Sequence, residues 1–218
     1  MVKIILMKIF FAIIALITFS ACAQSQSGNL KIPLGSKTKT ADEGVALFGE
    51  GCFWHAEIVF QSLVGVRDAV SGYAGGSVAH PDYETVCSGS TGHAEVVQVY
   101  YDTTRISYET LVKAFFASMD PTELNRQGND AGTQYRSVVF YKNDKEKQVI
   151  EAEIKRLTDA KKYNHKIVTQ VLPYKNFYAA EEYHQEYISR HPENGYVQAV
   201  SIPDYLEFRK QFKGNFKK

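Results

Sequence analysis

The sequence predicts an α/β or α+β two-layer domain built on a mixed sheet. Strand-like and helix-like segments alternate along the chain, and glycine-rich turns in the first half join strands in the manner of hairpins. Its 218 residues are 44% hydrophobic and 13% aromatic, enough to bury one sizeable core, so a single domain is expected.

The N-terminal stretch stands apart from that domain. Lys3 and Lys8 precede an apolar run from Ile9 to Phe19 that is short for a membrane span and ends in Ser20-Ala21-Cys22. This pattern reads as an export signal over 1–22, and two processing routes fit it. Ala21-Cys22-Ala23 suits ordinary cleavage, whereas Ser20-Ala21-Cys22 resembles a bacterial lipoprotein box with Cys22 lipidated, the expectation favoured here although Phe19 replaces the usual leucine. Residues 23–43 are mostly small and polar and read as a flexible tether, which leaves 44–218 for the folded domain.

Within the domain, Val45 to Phe48 reads as a strand that turns sharply at Gly49 into a helix carrying Phe53, Ala56, Phe60 and Leu63. Val66 to Tyr73 and Glu95 to Tyr101 are rich in β-branched and aromatic residues and read as strands. Ser107 is placed to cap a helix with Leu111, Val112, Phe115, Phe116 and Met119 on one face, ended by Pro121. Ser137 to Tyr141 is a strand. Asn143 with Glu146 resembles a capping box ahead of Ile150, Ile154 and Leu157. Further on, Ile167 to Leu172 reads as extended, Ala180 to Ser189 as a short helix, and order returns at Tyr205 to Phe212.

Charge excludes some functions. Lysine and arginine number 25 against 24 acidic residues, and the signs are interspersed, so no broad positive field is present to hold nucleic acid.

Cys52 lies between a strand-ending glycine and a helix start, where the helix dipole favours a thiolate and lowers the thiol pKa. Phe53 and Trp54, the latter the single tryptophan, would stand as an apolar wall beside it. The blander reading makes Cys52 a buried core residue, or pairs it with Cys87 in a structural disulfide. Glu95 follows the tight turn of Cys87-Ser88-Gly89-Ser90-Thr91-Gly92-His93-Ala94 and precedes Val96 and Val97. Apolar surroundings would keep its carboxyl protonated and make it a proton donor near neutral pH, unless it is a solvated strand-end glutamate. Zinc on Cys52, His55, Cys87 and His93 has the correct donor count, but the C-x-x-H and C-x5-H spacings match structural sites poorly. A cysteine hydrolase would need His93 or His184 beside Cys52 as base.

Five blocks in order resemble those of the A-type peptide methionine sulfoxide reductases. They are Gly51-Cys52-Phe53-Trp54, Gly72-Tyr73-Ala74-Gly75-Gly76, Gly92-His93-Ala94-Glu95-Val96, Gly128 to Ser137 and Ala180 to Gln185. The resemblance implies a ferredoxin-like α+β domain and reduction of methionine S-sulfoxide, free or in proteins, as a repair step after oxidation. It implies Cys52 as the nucleophile, Glu95 as the proton donor, and Tyr83 and Tyr135 as phenols that hydrogen-bond the sulfoxide oxygen. Phe53 and Trp54 would hold the methyl group, with Asp130 as a further polar contact. No metal or organic cofactor is implied; the expected partner is a thioredoxin-like reductant, and the enzyme is expected to be a monomer. Two departures stand out. His55 follows the tryptophan where glycine is common, and Val197 follows Gly195-Tyr196 where the family often has its resolving cysteine. No cysteine lies beyond Cys87, so an external thiol is expected to recycle the Cys52 sulfenic acid.

The lipoprotein expectation is testable by fractionation. Cys22→Ala should move the protein from the membrane to the soluble fraction, because the lipid supplies the anchoring free energy; an unchanged distribution would favour ordinary cleavage or a retained helix.

Overall fold

The computed structural model describes residues 33–218; the export signal, Cys22 and the first part of the expected tether lie outside them. Among the described residues no helix is long and apolar enough to cross a membrane.

Strand β1 (Glu43–Glu50) leads into helix α1 (Phe53–Gln61), which returns the chain to β2 (Val66–Ala74). A short helix α2 (Tyr83–Cys87) precedes β3 (Ala94–Asp102), and α3 (Tyr108–Ser118) follows. A small hairpin, β4 (Arg126–Gln127) and β5 (Asp130–Ala131), comes before β6 (Ser137–Tyr141), α4 (Asp144–Asp159) and β7 (Gln170–Pro173). Strand β8 (Tyr178–Ala179), α5 (Tyr187–Arg190) and α6 (Ile202–Gln211) complete the domain.

The main sheet runs β7-β6-β1-β3-β2-β8. All neighbours are antiparallel except β6 and β7, so the sheet is mixed, as expected. Its inner four strands with α1 and α3 as crossovers have the split-βαβ, ferredoxin-like order. The two-residue period of the strands divides the core: Phe48, Val97, Val99 and Val139 face the helices, while Leu47, Val96, Val138 and Phe140 form a smaller cluster on the other face. Phe48 lies at the centre, its ring 4.8 Å from Phe60 of α1 and 5.5 Å from Phe115 of α3.

Local signals act as the sequence suggests in α3 and α4. Ser107 Oγ accepts from the Thr110 amide at 3.1 Å, and Asn143 Oδ1 from the Glu146 amide at 3.0 Å. Glu146 returns its carboxylate to the Lys142 amide at 2.8 Å, one residue earlier than a strict capping box.

The single helix expected over Ala180 to Ser189 is not formed. A 3-10 turn, Glu182–His184, and the separate α5 replace it. Gln185 explains the break: its amide donates to the Ser71 and Ala180 carbonyls at 3.0 and 2.9 Å and accepts from the Ser71 amide at 3.0 Å, so the side chain works as an edge strand for β2. Glu186 then takes a left-handed φ of 55°, with its amide on the Glu57 carboxyl at 2.5 Å. Residues inside the expected tether also contact the domain, where the Gly35 amide meets the Glu186 carboxylate at 3.1 Å and the Ser36 amide meets the Arg67 carbonyl at 3.0 Å.

Phe48→Ala should cost about 3–5 kcal/mol, the usual loss for emptying a fully enclosed aromatic site. Urea unfolding should show a lower midpoint with an unchanged slope; a loss below about 1 kcal/mol would contradict the central place of this ring.

Candidate active site

The turn from β1 to α1 sets the site. Gly51 has φ +102°, and a Cβ there would lie 2.6 Å from Cβ of Gln127, so no other residue fits without displacing the β4 strand. Cys52 follows as the N-cap of α1 in extended conformation, its carbonyl accepting from the His55 and Ala56 amides at 3.1 and 3.2 Å. Its side chain makes no capping bond, which leaves the sulfur free at the positive end of the helix.

Glu95 arrives from β3. It shares a strand face with Val97 and Val99, pairs in register with Tyr73 and is 2% exposed. Its Oε2 accepts the Phe53 amide at 3.0 Å, so the first turn of α1 holds the carboxyl beside Cys52. A cavity of about 180 Å³ opens here, lined by Cys52, Phe53, Trp54, Tyr83, Glu95, Asp130, Tyr135 and Tyr196. The structure therefore brings together all seven site residues singled out in the domain sequence and adds Tyr196. Tyr196 is not among the residues expected from sequence, and its only signal there is its place as the tyrosine of the family's late Gly-Tyr.

Each wall of the cavity has its own support. The Trp54 indole donates to His184 Nδ1 at 3.2 Å and stacks on Tyr187 with centroids 3.7 Å apart and planes 5° from parallel. Phe53 packs against Tyr73, Tyr83 and His184. The Glu181 carboxylate accepts both the Tyr83 amide and the Tyr73 hydroxyl at 2.9 Å. Tyr135 sits in the 3-10 turn Thr133–Tyr135, braced by the Arg136 guanidinium on the Thr133 and Gly92 carbonyls at 2.7 and 3.0 Å. The Tyr196 hydroxyl donates to Asp130 Oδ2 at 2.5 Å.

Electrostatics support one sequence expectation and overturn another. Burial pushes the Glu95 carboxyl up to about 8, against the Phe53 amide that favours its charged form, so it is protonated at neutral pH. Cys52 moves opposite to expectation: desolvation, and behind it the Glu95 carboxylate, hold the thiol well above its usual range. The Trp54 and His55 amides at the helix end pull the other way and are outweighed. Burial likewise raises the Tyr83, Tyr135 and Tyr196 hydroxyls, which remain donors throughout the physiological range.

The rival readings find little support. His93 spends both ring nitrogens on backbone, accepting from the Gly76 amide at 3.1 Å and meeting the Val78 carbonyl at 2.7 Å. His184 Nδ1 takes the Trp54 indole N–H, and neither histidine lines a cavity at Cys52 where it would serve as a base. Among the described residues no group of His, Cys, Asp and Glu is arranged to hold a metal, and Cys52 and Cys87 are both free thiols.

Comparison with known proteins gives a consistent result. A family model described as peptide methionine sulfoxide reductase matches residues 44–216. A peptide methionine sulfoxide reductase of Picrophilus torridus is 47% identical over 170 residues, covering 78% of this chain and 96% of its own length. A reductase of the same description from Acinetobacter baumannii is 48% identical over 168 residues, 77% of this chain and 95% of its own. Among solved structures, reduced Mxr1 from Saccharomyces cerevisiae superposes with a TM-score of 0.66 at 36% identity, covering 72% of this chain and 91% of that one. Methionine sulfoxide reductase A of Corynebacterium diphtheriae gives 0.65 at 31% identity, with 74% and 84% covered.

The coupling between thiol and carboxyl predicts an alkylation profile. Iodoacetamide should modify Cys52 slowly at pH 7 and rapidly only well into the alkaline range. Glu95→Gln removes the carboxylate charge and should shift that profile to lower pH. Mass spectrometry across a pH series reads both curves, and coincident curves would mean that the Glu95 charge does not reach the sulfur.

Proposed function

The chain belongs to the peptide methionine sulfoxide reductases of the A type, and from that premise we propose how its residues return methionine sulfoxide to methionine. The observation that carries the mechanism is the Phe53 amide bond to Glu95, which fixes a protonated carboxyl at the helix end occupied by Cys52.

A sulfoxide oxygen leaves sulfur poorly unless it is protonated. Phe53 and Trp54 take the methyl group on the apolar side of the cavity, which turns the oxygen of the S epimer toward Glu95, Tyr83 and Tyr135. Glu95 gives its proton to that oxygen, the Cys52 sulfur attacks the substrate sulfur, and Glu95 takes the thiol proton in exchange. The oxygen passes to Cys52 as a sulfenic acid and methionine leaves. With both groups protonated at rest, the thiol ionises only as the substrate accepts a proton, so Cys52 is protected from adventitious oxidants between turnovers. The phenols stabilise charge developing on oxygen, and Asp130, bonded to Tyr196, makes the further polar contact.

Recycling comes from outside. Val197, fully buried, occupies the usual resolving position, and Cys87 does not line the cavity that holds Cys52. A thioredoxin-like protein or another thiol therefore condenses with the sulfenic acid. The charged and apolar N-terminal pattern supports an exported, lipid-anchored enzyme of the cell envelope, with Cys22 as the lipid site.

Wild-type protein given one equivalent of methionine S-sulfoxide without reductant should release one methionine and carry a dimedone-reactive Cys52, with Cys87 still free. Cys52→Ser should release none. Glu95→Gln should slow the single turnover on the order of 100-fold. Because protonated Glu95 is the active form, the wild-type rate should fall as pH rises through about 8. A quantitative Cys52 to Cys87 disulfide would overturn the one-cysteine cycle, and a pH-independent rate would remove Glu95 as the acid.

A further inference from the structure

A second cavity, of about 250 Å³, abuts Cys52 away from the aromatic wall. It shares only Cys52, Asp130 and Tyr196 with the substrate cavity, and the Tyr196 to Asp130 hydrogen bond stands between the two. Glu50, His55, Ser118, Ser201 and Asp204 line the rest of it with the β4–β5 turn and the small apolar residues Ala199 and Val200, and no lysine or arginine does.

Three side chains there bury polar atoms that have no hydrogen-bond partner among the described residues. Glu50 is 1% exposed; its Oε2 accepts from Ser118 Oγ at 2.7 Å, while Oε1 has no partner. Ser201, also 1% exposed, leaves Oγ unpartnered. His55 Nε2 lies 3.3 Å from the Ser118 carbonyl, which can only accept, so Nε2 carries the hydrogen and Nδ1 presents a lone pair without a partner. Burial keeps this imidazole below its ordinary pKa, although Asp204 and the Ser118 carbonyl oppose the shift. Buried polar atoms are ordinarily hydrogen-bonded, and three orphans around one cavity leave hydrogen-bonding capacity for a polar guest.

We propose that this cavity admits a small thiol bearing an amine, which attacks the Cys52 sulfenic acid from the side opposite the substrate while His55 Nδ1 takes its proton. This rests on the one-cysteine cycle above. The S–H bond of the thiol breaks, a disulfide to Cys52 forms, and the sulfenic S–O bond breaks to release water after proton return. A second thiol then attacks the mixed disulfide at the small-molecule sulfur and restores the Cys52 thiol, so two thiols are oxidised as the sulfenic acid is reduced. Displacement at sulfur is in line, and the oxygen received from the substrate lies on the substrate side, so the second cavity supplies the open approach. Asp130 and Asp204 on its walls select a cationic thiol over an anionic one, while Glu50, whose carboxyl burial pushes up to about 8, adds negative charge only above that pH.

The test separates recycling from sulfoxide chemistry. The sulfenic acid is generated with one equivalent of sulfoxide, and its decay is followed after mixing with cysteamine, 2-mercaptoethanol or 3-mercaptopropionate. After correction for each thiol's own ionisation, cysteamine should react about tenfold faster than mercaptopropionate. Ala199→Trp, at an exposed position on the cavity rim, and His55→Gln should each slow the cysteamine reaction about tenfold or more while leaving the methionine burst unchanged. In His55→Gln the residual rate should track the thiolate fraction of the thiol as pH rises. Equal rates for the three thiols, an unaffected Ala199→Trp, or an equal loss of the burst in Ala199→Trp would each overturn the proposal. A wild-type protein with no burst would instead overturn the mechanism for Cys52, and sulfenic acid made with hydrogen peroxide would still test the cavity.

Discussion

The amide of Phe53 donating to the carboxyl of Glu95 ties the start of β3 to the start of α1, and the rest of the site is arranged around that bond. Helices leave their first amides without internal partners, and here one of those orphan donors is satisfied by the acid that the chemistry needs. The bond has two effects. It fixes the position of Glu95 relative to Cys52, one residue before Phe53, and it limits how far burial can raise the carboxyl pKa. Without it, a glutamate 2% exposed among valines would have fewer reasons to stay at the cavity.

Around this centre the protein spends polar groups on holding aromatic surfaces still. Glu181 bridges Tyr73 and Tyr83, and burial, which would raise its pKa, is outweighed by hydrogen bonds from the Tyr83 amide, its own amide and the Tyr73 hydroxyl so that it remains charged. Gln185 clamps the same segment to β2, and His184 fixes the Trp54 indole. The block from Ala180 to Gln185 is thus a brace behind the substrate wall, supplying orientation where a mobile ring would leave the methyl group poorly placed.

The thiol follows a balance of opposing effects. A helix N-terminus favours the thiolate by roughly 0.3–1 kcal/mol in ordinary settings, up to about 2 kcal/mol when partly buried. Desolvation by the cavity wall and the neighbouring carboxyls act in the other direction and win. The consequence is a nucleophile that is activated by its substrate, since donation of the Glu95 proton leaves a carboxylate able to receive the thiol proton.

Much of this was legible in sequence. Period-two and helical spacing located the strands and the helices capped by Ser107 and Asn143, because those signals depend on residues a few positions apart. The ordered motifs identified the family and named Cys52, Glu95, Tyr83, Tyr135, Phe53, Trp54 and Asp130, which the fold collects at one cavity. What only the tertiary structure decided depends on contacts between distant segments. The helix expected at Ala180 to Ser189 gave way to Gln185 bonding across to Ser71, 114 positions earlier. Tyr196 joined the site through Asp130, 66 positions away, and the direction of the Cys52 shift depended on burial and, behind it, on Glu95 packed beside it. Local sequence specifies which groups are available and which faces they occupy; burial and long-range hydrogen bonding decide their protonation, because desolvation exists only once the chain has closed around them.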